Sequence, residues 1–275
     1  MRKMIRTVLT ATISLMTLAP LASQGAASER VICTLAQEIG APAPLLSQGQ
    51  CGTRISPAST FKIAISLMGF DSGILTGPDT PEWPFQPGYP DWRGEWKQPT
   101  TPASWLTYSV VWYSQQITQR LGPDRFDAYV RAFGYGNQDV SGDPGQQNGL
   151  TNAWLSSSLQ ISASEQVAFL TRMLAGGLPV SDDSVAQTRA ILDRHSPRGG
   201  WQTFGKTGAG LPFGPDGTRL RGQPFGWYVG WAENGDRTVV FARLVRFDTR
   251  PDRTPGDIAR DGLLQALFAS GGPLS

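Results

Sequence analysis

Strand-forming segments in this 275-residue chain are confined to its two ends, and this constrains the fold more than any other feature. Near the N-terminus, Arg30-Val31-Ile32-Cys33-Thr34-Leu35 has strand character, and a second run begins at Leu45-Leu46 after turn residues between Gly40 and Pro44. A hairpin over 31–48 is expected. After Gly199-Gly200, runs at 201–206, 225–232 and 237–246 are rich in Trp, Tyr, Val and Phe, and Asn234-Gly235 between the last two is a strong hairpin signal. Between these ends the pattern predicts helices over 59–70, 105–121, 123–133, 163–175 and 182–194. The helix at 163–175 opens with the capping-box pattern Ser162-Ala163-Ser164-Glu165. A last amphipathic helix is expected over 257–269. The order implies a mixed α/β fold: a central antiparallel sheet built from N- and C-terminal strands, flanked by helices, with a helical lobe inserted. Residues 77–102 hold seven prolines with Trp83, Trp92 and Trp96, which fits a structured loop packed on the body.

Ahead of this lies an address. Arg2, Lys3 and Arg6 precede an uncharged, mostly apolar run from Thr7 to Ala22 and then Ser23-Gln24-Gly25-Ala26-Ala27. Charged start, short apolar middle and small residues describe a secretory signal over 1–27, with a catalytic domain over 28–275. A membrane anchor fits less well, because the run is short of the ~20 apolar residues a span needs. The expected location is the bacterial periplasm, with no membrane association after cleavage. Loss of the signal takes Lys+Arg from 24 to 21 against 22 Asp+Glu, a mature charge of −1. Nucleic acid is therefore not an expected partner.

Export also bears on Cys33 and Cys51, the two cysteines, which are expected to pair where disulfides persist. Lipid modification would need small residues before the cysteine, and Arg30-Val31-Ile32 does not supply them. With two Cys and the single His195, a four-ligand zinc site cannot form, so no metal is expected. A Ser-His-Asp triad would have to use His195, which sits in the polar run Asp193-Arg194-His195-Ser196-Pro197 and reads as a solvated helix end.

Two motifs carry chemistry. In Ser59-Thr60-Phe61-Lys62, positions i and i+3 share a helix face, so Lys62 can reach the Ser59 hydroxyl. Serine is a poor nucleophile until a base takes its proton, and lysine serves only when neutral. The plain alternative is an N-capping Ser with a surface Lys. In Lys206-Thr207-Gly208, a cation and a hydroxyl beside a small residue make a shelf for an anionic substrate group. Lysine is scarce, with 20 Arg against four Lys, and two of the three mature lysines, Lys62 and Lys206 but not Lys97, fall inside these motifs. Retaining Lys on an Arg-built protein points to a need for a smaller, deprotonable amine.

In order, Ser59-x-x-Lys62, Ser109-Val110-Val111, Tyr135-Gly136-Asn137, Trp154-Leu155, Lys206-Thr207-Gly208 and Trp227-Tyr228-Val229-Gly230-Trp231 resemble a class D (oxacillinase-type) serine β-lactamase over essentially the whole mature chain. The resemblance implies that β-lactam antibiotics are the small-molecule substrates and that Ser59 attacks the lactam carbonyl. Lys62 would carry a carbamate derived from carbon dioxide and act as general base, with no other cofactor. Ser109 would pass a proton to the departing nitrogen, while Val111 and Trp154 wall the carbamate. Lys206 and Thr207, with Arg260, would hold the substrate carboxylate; Arg253 and Arg250 are alternatives to Arg260. Backbone N–H groups of Ser59 and Ala209 would form an oxyanion hole, with Gly208 giving room beside them. Apolar Val110, Val111, Trp154 and Leu155 are candidates to bury Lys62, although each is equally ordinary core. Tyr135-Gly136-Asn137 either shapes the cleft or is a plain turn.

Class A β-lactamases share the Ser-x-x-Lys and Lys-Thr-Gly motifs but carry Ser-Asp-Asn and a Glu that activates water. Here no Glu occurs from Asn137 to Ser164, and of Asp139 and Asp143 the latter sits in a turn, Asp143-Pro144-Gly145. The segment 143–152 is longer than the usual class D pattern. A penicillin-binding sensor or cell-wall peptidase, acylated but slow to turn over, is the rival reading. A homodimer is compatible with the sequence.

Overall fold

The computed structural model describes residues 27–197, 199–213 and 218–275, so the expected signal segment lies outside the described residues except for Ala27. Strands β1 (Glu29–Glu38), β2 (Leu46–Gly49), β3 (Asp193–His195), β4 (Gln202–Gly210), β5 (Phe225–Asn234) and β6 (Arg237–Phe247) form one antiparallel sheet in the order β2-β1-β6-β5-β4-β3. The two chain ends meet at its centre: β1 pairs with β6 from Glu29↔Phe247 to Glu38↔Val239. Along β6, Val239, Phe241 and Val245 enter one hydrophobic layer, while Val240, Ala242 and Leu244 enter the other. Both faces are dry, which is why these strands read as continuous apolar runs rather than polar alternation.

Helix α8 (Pro255–Phe268), capped by Thr254, covers one face with Ala259, Leu263, Leu267 and Phe268. The opposite face carries a 3-10 turn (Ala58–Phe61), which leads into α1 (Lys62–Asp71), and α6 (Ala163–Leu174). Every residue of α1 from Lys62 to Phe70 is buried, so this helix runs through the interior, not along the surface. The inserted lobe consists of α2 (Pro102–Tyr108), α3 (Val111–Leu121), α4 (Pro123–Ala132), α5 (Gly149–Asn152) and α7 (Asp182–Ile191). Among the described residues, no helix is long and apolar enough to cross a membrane.

Three boundaries differ from expectation. The helix predicted over 105–121 is two helices: Thr101 caps α2 with Pro102 at its first position, and Ser109 ends it in the left-handed region at φ 56°. Val110 is extended before α3 begins, because buried Trp105 and Trp112 each anchor an indole N–H, to Ser114 Oγ and the Trp96 carbonyl, on opposite sides of the break. The helix predicted to Arg194 stops at Ile191, and Asp193–His195 pairs with β4 as the edge strand. His195 is thus a strand residue, not a helix end. The first helix begins as a 3-10 turn instead of an α-helix.

Cys33 and Cys51 are bonded, with Cα atoms 4.9 Å apart. The bridge ties the β1–β2 hairpin to the segment just past β2, at a sheet edge where only four residue pairs join the strands. Cross-linking an 18-residue separation stabilises by about 3 kcal/mol through the unfolded chain. Reduction is expected to lower the melting temperature by several degrees while initial rates at 25 °C stay close to those of the oxidised protein, as read by scanning calorimetry beside an activity assay.

Candidate active site

The site is built on the turn before α1. Ala58 holds φ 49° although it is not glycine, and it is 2% exposed. A strained residue of this kind persists only where its surroundings fix it. Buried Ser56 does much of the fixing: its Oγ donates to the Trp154 carbonyl (2.7 Å) and accepts from the Ser156 and Ala58 N–H groups (3.0 and 3.4 Å). The Ser56 carbonyl accepts the Trp227 indole N–H from β5 (3.0 Å). Thr60 Oγ1 donates to the Pro57 carbonyl (2.7 Å) and accepts from Gln166 on α6 (2.9 Å). On the open side, β4 approaches so closely that a Cβ on Gly208 would stand 3.0 Å from the Pro57 carbonyl oxygen.

In a 3-10 turn, residues i and i+3 eclipse. Ser59 and Lys62 therefore stack, with Lys62 Nζ 3.2 Å from Ser59 Oγ. Lys62 is fully buried, and among the described residues no carboxylate pairs with it. Burial, followed by the positive charges of Lys206 and Arg93, drives its pKa well below the usual lysine range. The surface-lysine reading is excluded. Lys206, 4% exposed on β4, is pulled down to about 8 by burial, with Arg93 adding to the shift and Asp193 and Asp257 opposing it. Lys97 provides the contrast: it is exposed and ion-paired to Asp91 at 2.9 Å.

A cavity of about 270 Å³ opens over Ser59. Of the residues singled out from sequence, Ser59, Ser109, Val111, Leu155, Lys206, Thr207, Gly208, Ala209 and Arg260 line it. The left-handed backbone at Ser109 is what brings that residue to the cleft instead of continuing the helix. Val110 is buried beneath. Trp154 packs 5.7 Å from the Phe61 ring, and its buried indole N–H has no hydrogen-bond acceptor among the described residues. Such an orphaned donor is costly and calls for an acceptor not among the side chains present.

Other candidates fall elsewhere. Tyr135 packs on Phe61 (4.9 Å), and Asn137 clamps the Trp154 segment by donating to the Ser158 carbonyl and accepting from the Gln160 N–H. That motif supports the site from behind and does not line the cleft. Asp143 is fully engaged by Asn148, Asn152 and Arg219. Burial raises its pKa, but hydrogen bonds from Asn152 and Asn148 outweigh this and hold the carboxyl below its usual range. The long 143–152 segment is folded around that carboxylate. His195 lies 3.5 Å from Asp193 and does not line the cleft. Arg260 is ion-paired to Asp257 (3.1 Å) and Asp261 (3.0 Å). Arg253 also binds Asp261 and, with Arg250, lines an adjoining cavity.

Sequence reading missed Trp92, Arg93, Asp193, Thr254 and Asp257, all of which line the cleft. Trp92 and Arg93 come from the proline-rich loop, where no period reports which side chain faces inward. Asp193 was assigned to a helix, which hid its place beside β4.

The transpeptidase family described as the penicillin-binding protein transpeptidase domain matches residues 24–262. Beta-lactamase OXA-9 of Klebsiella pneumoniae is 45% identical over 240 residues, spanning 87% of this chain and 88% of the relative. The crystal structure of the OXA-427 class D β-lactamase superposes with a TM-score of 0.82 at 46% identity, covering 88% of this chain and 99% of that one. The C-terminal domain of the Bacillus licheniformis BlaR penicillin-receptor superposes with a TM-score of 0.75 at 26% identity, over 90% and 91%. With the Ser59–Lys62 pair, the Ser109 turn and the Lys206-Thr207-Gly208 strand around one cleft, the chain belongs to the class D serine β-lactamases, within the penicillin-binding transpeptidase family.

Proposed function

We propose that this enzyme hydrolyses β-lactams through an acyl-Ser59 intermediate and that Lys62 works as its carbamate. The observation that carries the second part is the environment of Lys62: a fully buried amine 3.2 Å from Ser59 Oγ, without a counter-charge and with a strongly depressed pKa. A neutral amine adds carbon dioxide with loss of one proton, whereas an ammonium does not. The orphaned Trp154 N–H in the same core fits an added acceptor. When present, the carbamate supplies a carboxylate-type base at Ser59, where among the described residues neither Asp193 nor Asp257 of the cleft wall makes a hydrogen bond to the serine.

The remaining roles belong to the same proposal, supported by the residues that line the cleft. Ser59 Oγ bonds to the lactam carbonyl carbon, and the N–H groups of Ser59 and Ala209 stabilise the oxyanion. The C–N bond then breaks, and Ser109 hands a proton to the leaving nitrogen. Lys206 and Thr207 hold the ring carboxylate on the open face of β4. Water then cleaves the acyl ester, releasing Ser59 and the ring-opened acid. Arg260, committed to two carboxylates, orders the wall of this subsite more than it offers a free charge. The rival sensor reading acylates the same serine and stops. Export to the periplasm belongs to the same proposal.

An intact-mass time course with excess benzylpenicillin, with and without bicarbonate, tests the proposal. An adduct on Ser59 that appears and vanishes as penicilloic acid accumulates is expected, with activity falling as the pH is lowered. Acid protonates the Lys62 amine and reverses carbon dioxide uptake, so bicarbonate is expected to restore activity. A lasting adduct would establish the sensor reading. Turnover indifferent to bicarbonate and to acid would remove the carbamate.

A further inference from the structure

Beside the catalytic cleft lies a larger cavity of about 540 Å³, and the two share Arg93, Ala209 and Thr254 along their border. Its walls are the end of β4, residues 221–224 ahead of β5, and residues 250–255 leading into α8. Four arginines, Arg93, Arg221, Arg250 and Arg253, line it with a single acid, Asp252. Arg253 is bound to Asp261, but Arg93, Arg221 and Arg250 have no ion pair among the described residues. Unpaired guanidinium groups around a concavity raise a positive potential there, and their planar forks match carboxylate and sulfonate oxygens.

Position decides which part of a substrate meets this charge. On the other flank of residues 209–211, a cavity of about 210 Å³ is lined by Ala58, Trp92, Leu155, Ser156 and Arg219, next to the Ser59 turn. In the pose proposed above, with the carbonyl at Ser59 and the ring carboxylate at Lys206 and Thr207, the substituent beside the lactam carbonyl would face that flank. The substituent on the ring carbon next to the carboxylate would then face the arginine-lined cavity, past Thr254. We infer that the arginine-lined cavity is an anion subsite favouring β-lactams whose ring substituent carries a second negative charge. The inference rests on the ring carboxylate lying at Lys206 and Thr207, as proposed above.

A matched pair of cephalosporins tests it, with the same acyl side chain and ring substituents of similar size, one neutral and one bearing a carboxylate. At low salt the enzyme is expected to favour the anionic member by about fivefold in kcat/KM, mainly through KM, as a few exposed charge pairs allow. High salt is expected to shrink the ratio. Arg221→Gln is expected to reduce it and Arg221→Glu to bring it to one or below; Arg221 is exposed, so folding is not at stake. A ratio of one in the unmodified enzyme, or a ratio untouched by Arg221→Glu, would overturn the subsite. If neither cephalosporin is hydrolysed, the catalytic reading itself fails.

Discussion

Lys62→Ala is expected to give a folded protein that acylates slowly with benzylpenicillin and then stays acylated. The amine is the basic group within hydrogen-bond reach of Ser59 Oγ, and Asp143, the acid of the 143–152 segment, is held by two amides and an arginine. Of the carboxylates that line the cleft, Asp257 is held by Arg260, and among the described residues neither it nor Asp193 bonds to Ser59. General-base catalysis contributes roughly 10²–10⁴-fold, so the deacylation rate is expected to fall by that range. Stopped-flow acylation combined with intact mass separates the two steps. Bicarbonate, which raises turnover of the unmodified enzyme, is expected to leave this variant unmoved. Deacylation within a few-fold of normal would show that another group activates the water.

Ser59→Ala is expected to take no adduct from any β-lactam, with kcat down by about 10⁶-fold, as when a nucleophile acting in concert with its base is removed. The turn itself survives, because Ser56, Thr60 and Gly208 hold it through contacts that do not involve the Ser59 hydroxyl. Substrate should still bind, since Lys206 and Thr207 are untouched. Combining the two substitutions is expected to cost little more than Ser59→Ala alone, because the base has nothing left to activate. Penicilloic acid formed at an appreciable rate by Ser59→Ala would reassign the nucleophile.

The sequence made parts of this site legible for chemical reasons. Lysine was scarce, so Lys62 and Lys206 stood out, and both are buried while Lys97 is a paired surface group. Strand runs at the two chain ends announced a sheet shared between them, since such runs need partners wherever these lie in sequence. Other features were invisible because periodicity does not encode them. The 105–121 pattern stayed helical across Ser109 because a single left-handed residue interrupts the backbone without disturbing the apolar period. Asp193 and His195 looked like a polar helix end because three residues of edge strand are too short to show alternation. Arg93 emerged only when the proline-rich loop was folded against β4 and α8.

The pairing of β1 with β6 also sets the order in which the molecule can be assembled. The Ser28 N–H bonds Asp248, 220 residues further along. The first strand therefore has no long partner until the last strand, β6, has been synthesised. Contacts this distant in sequence slow folding, because loop closure must come before the pairing that rewards it. A ribosome-bound chain cannot complete its sheet early. The sheet closes only when β6 is available, and the finished fold is then locked at both ends by the same seam.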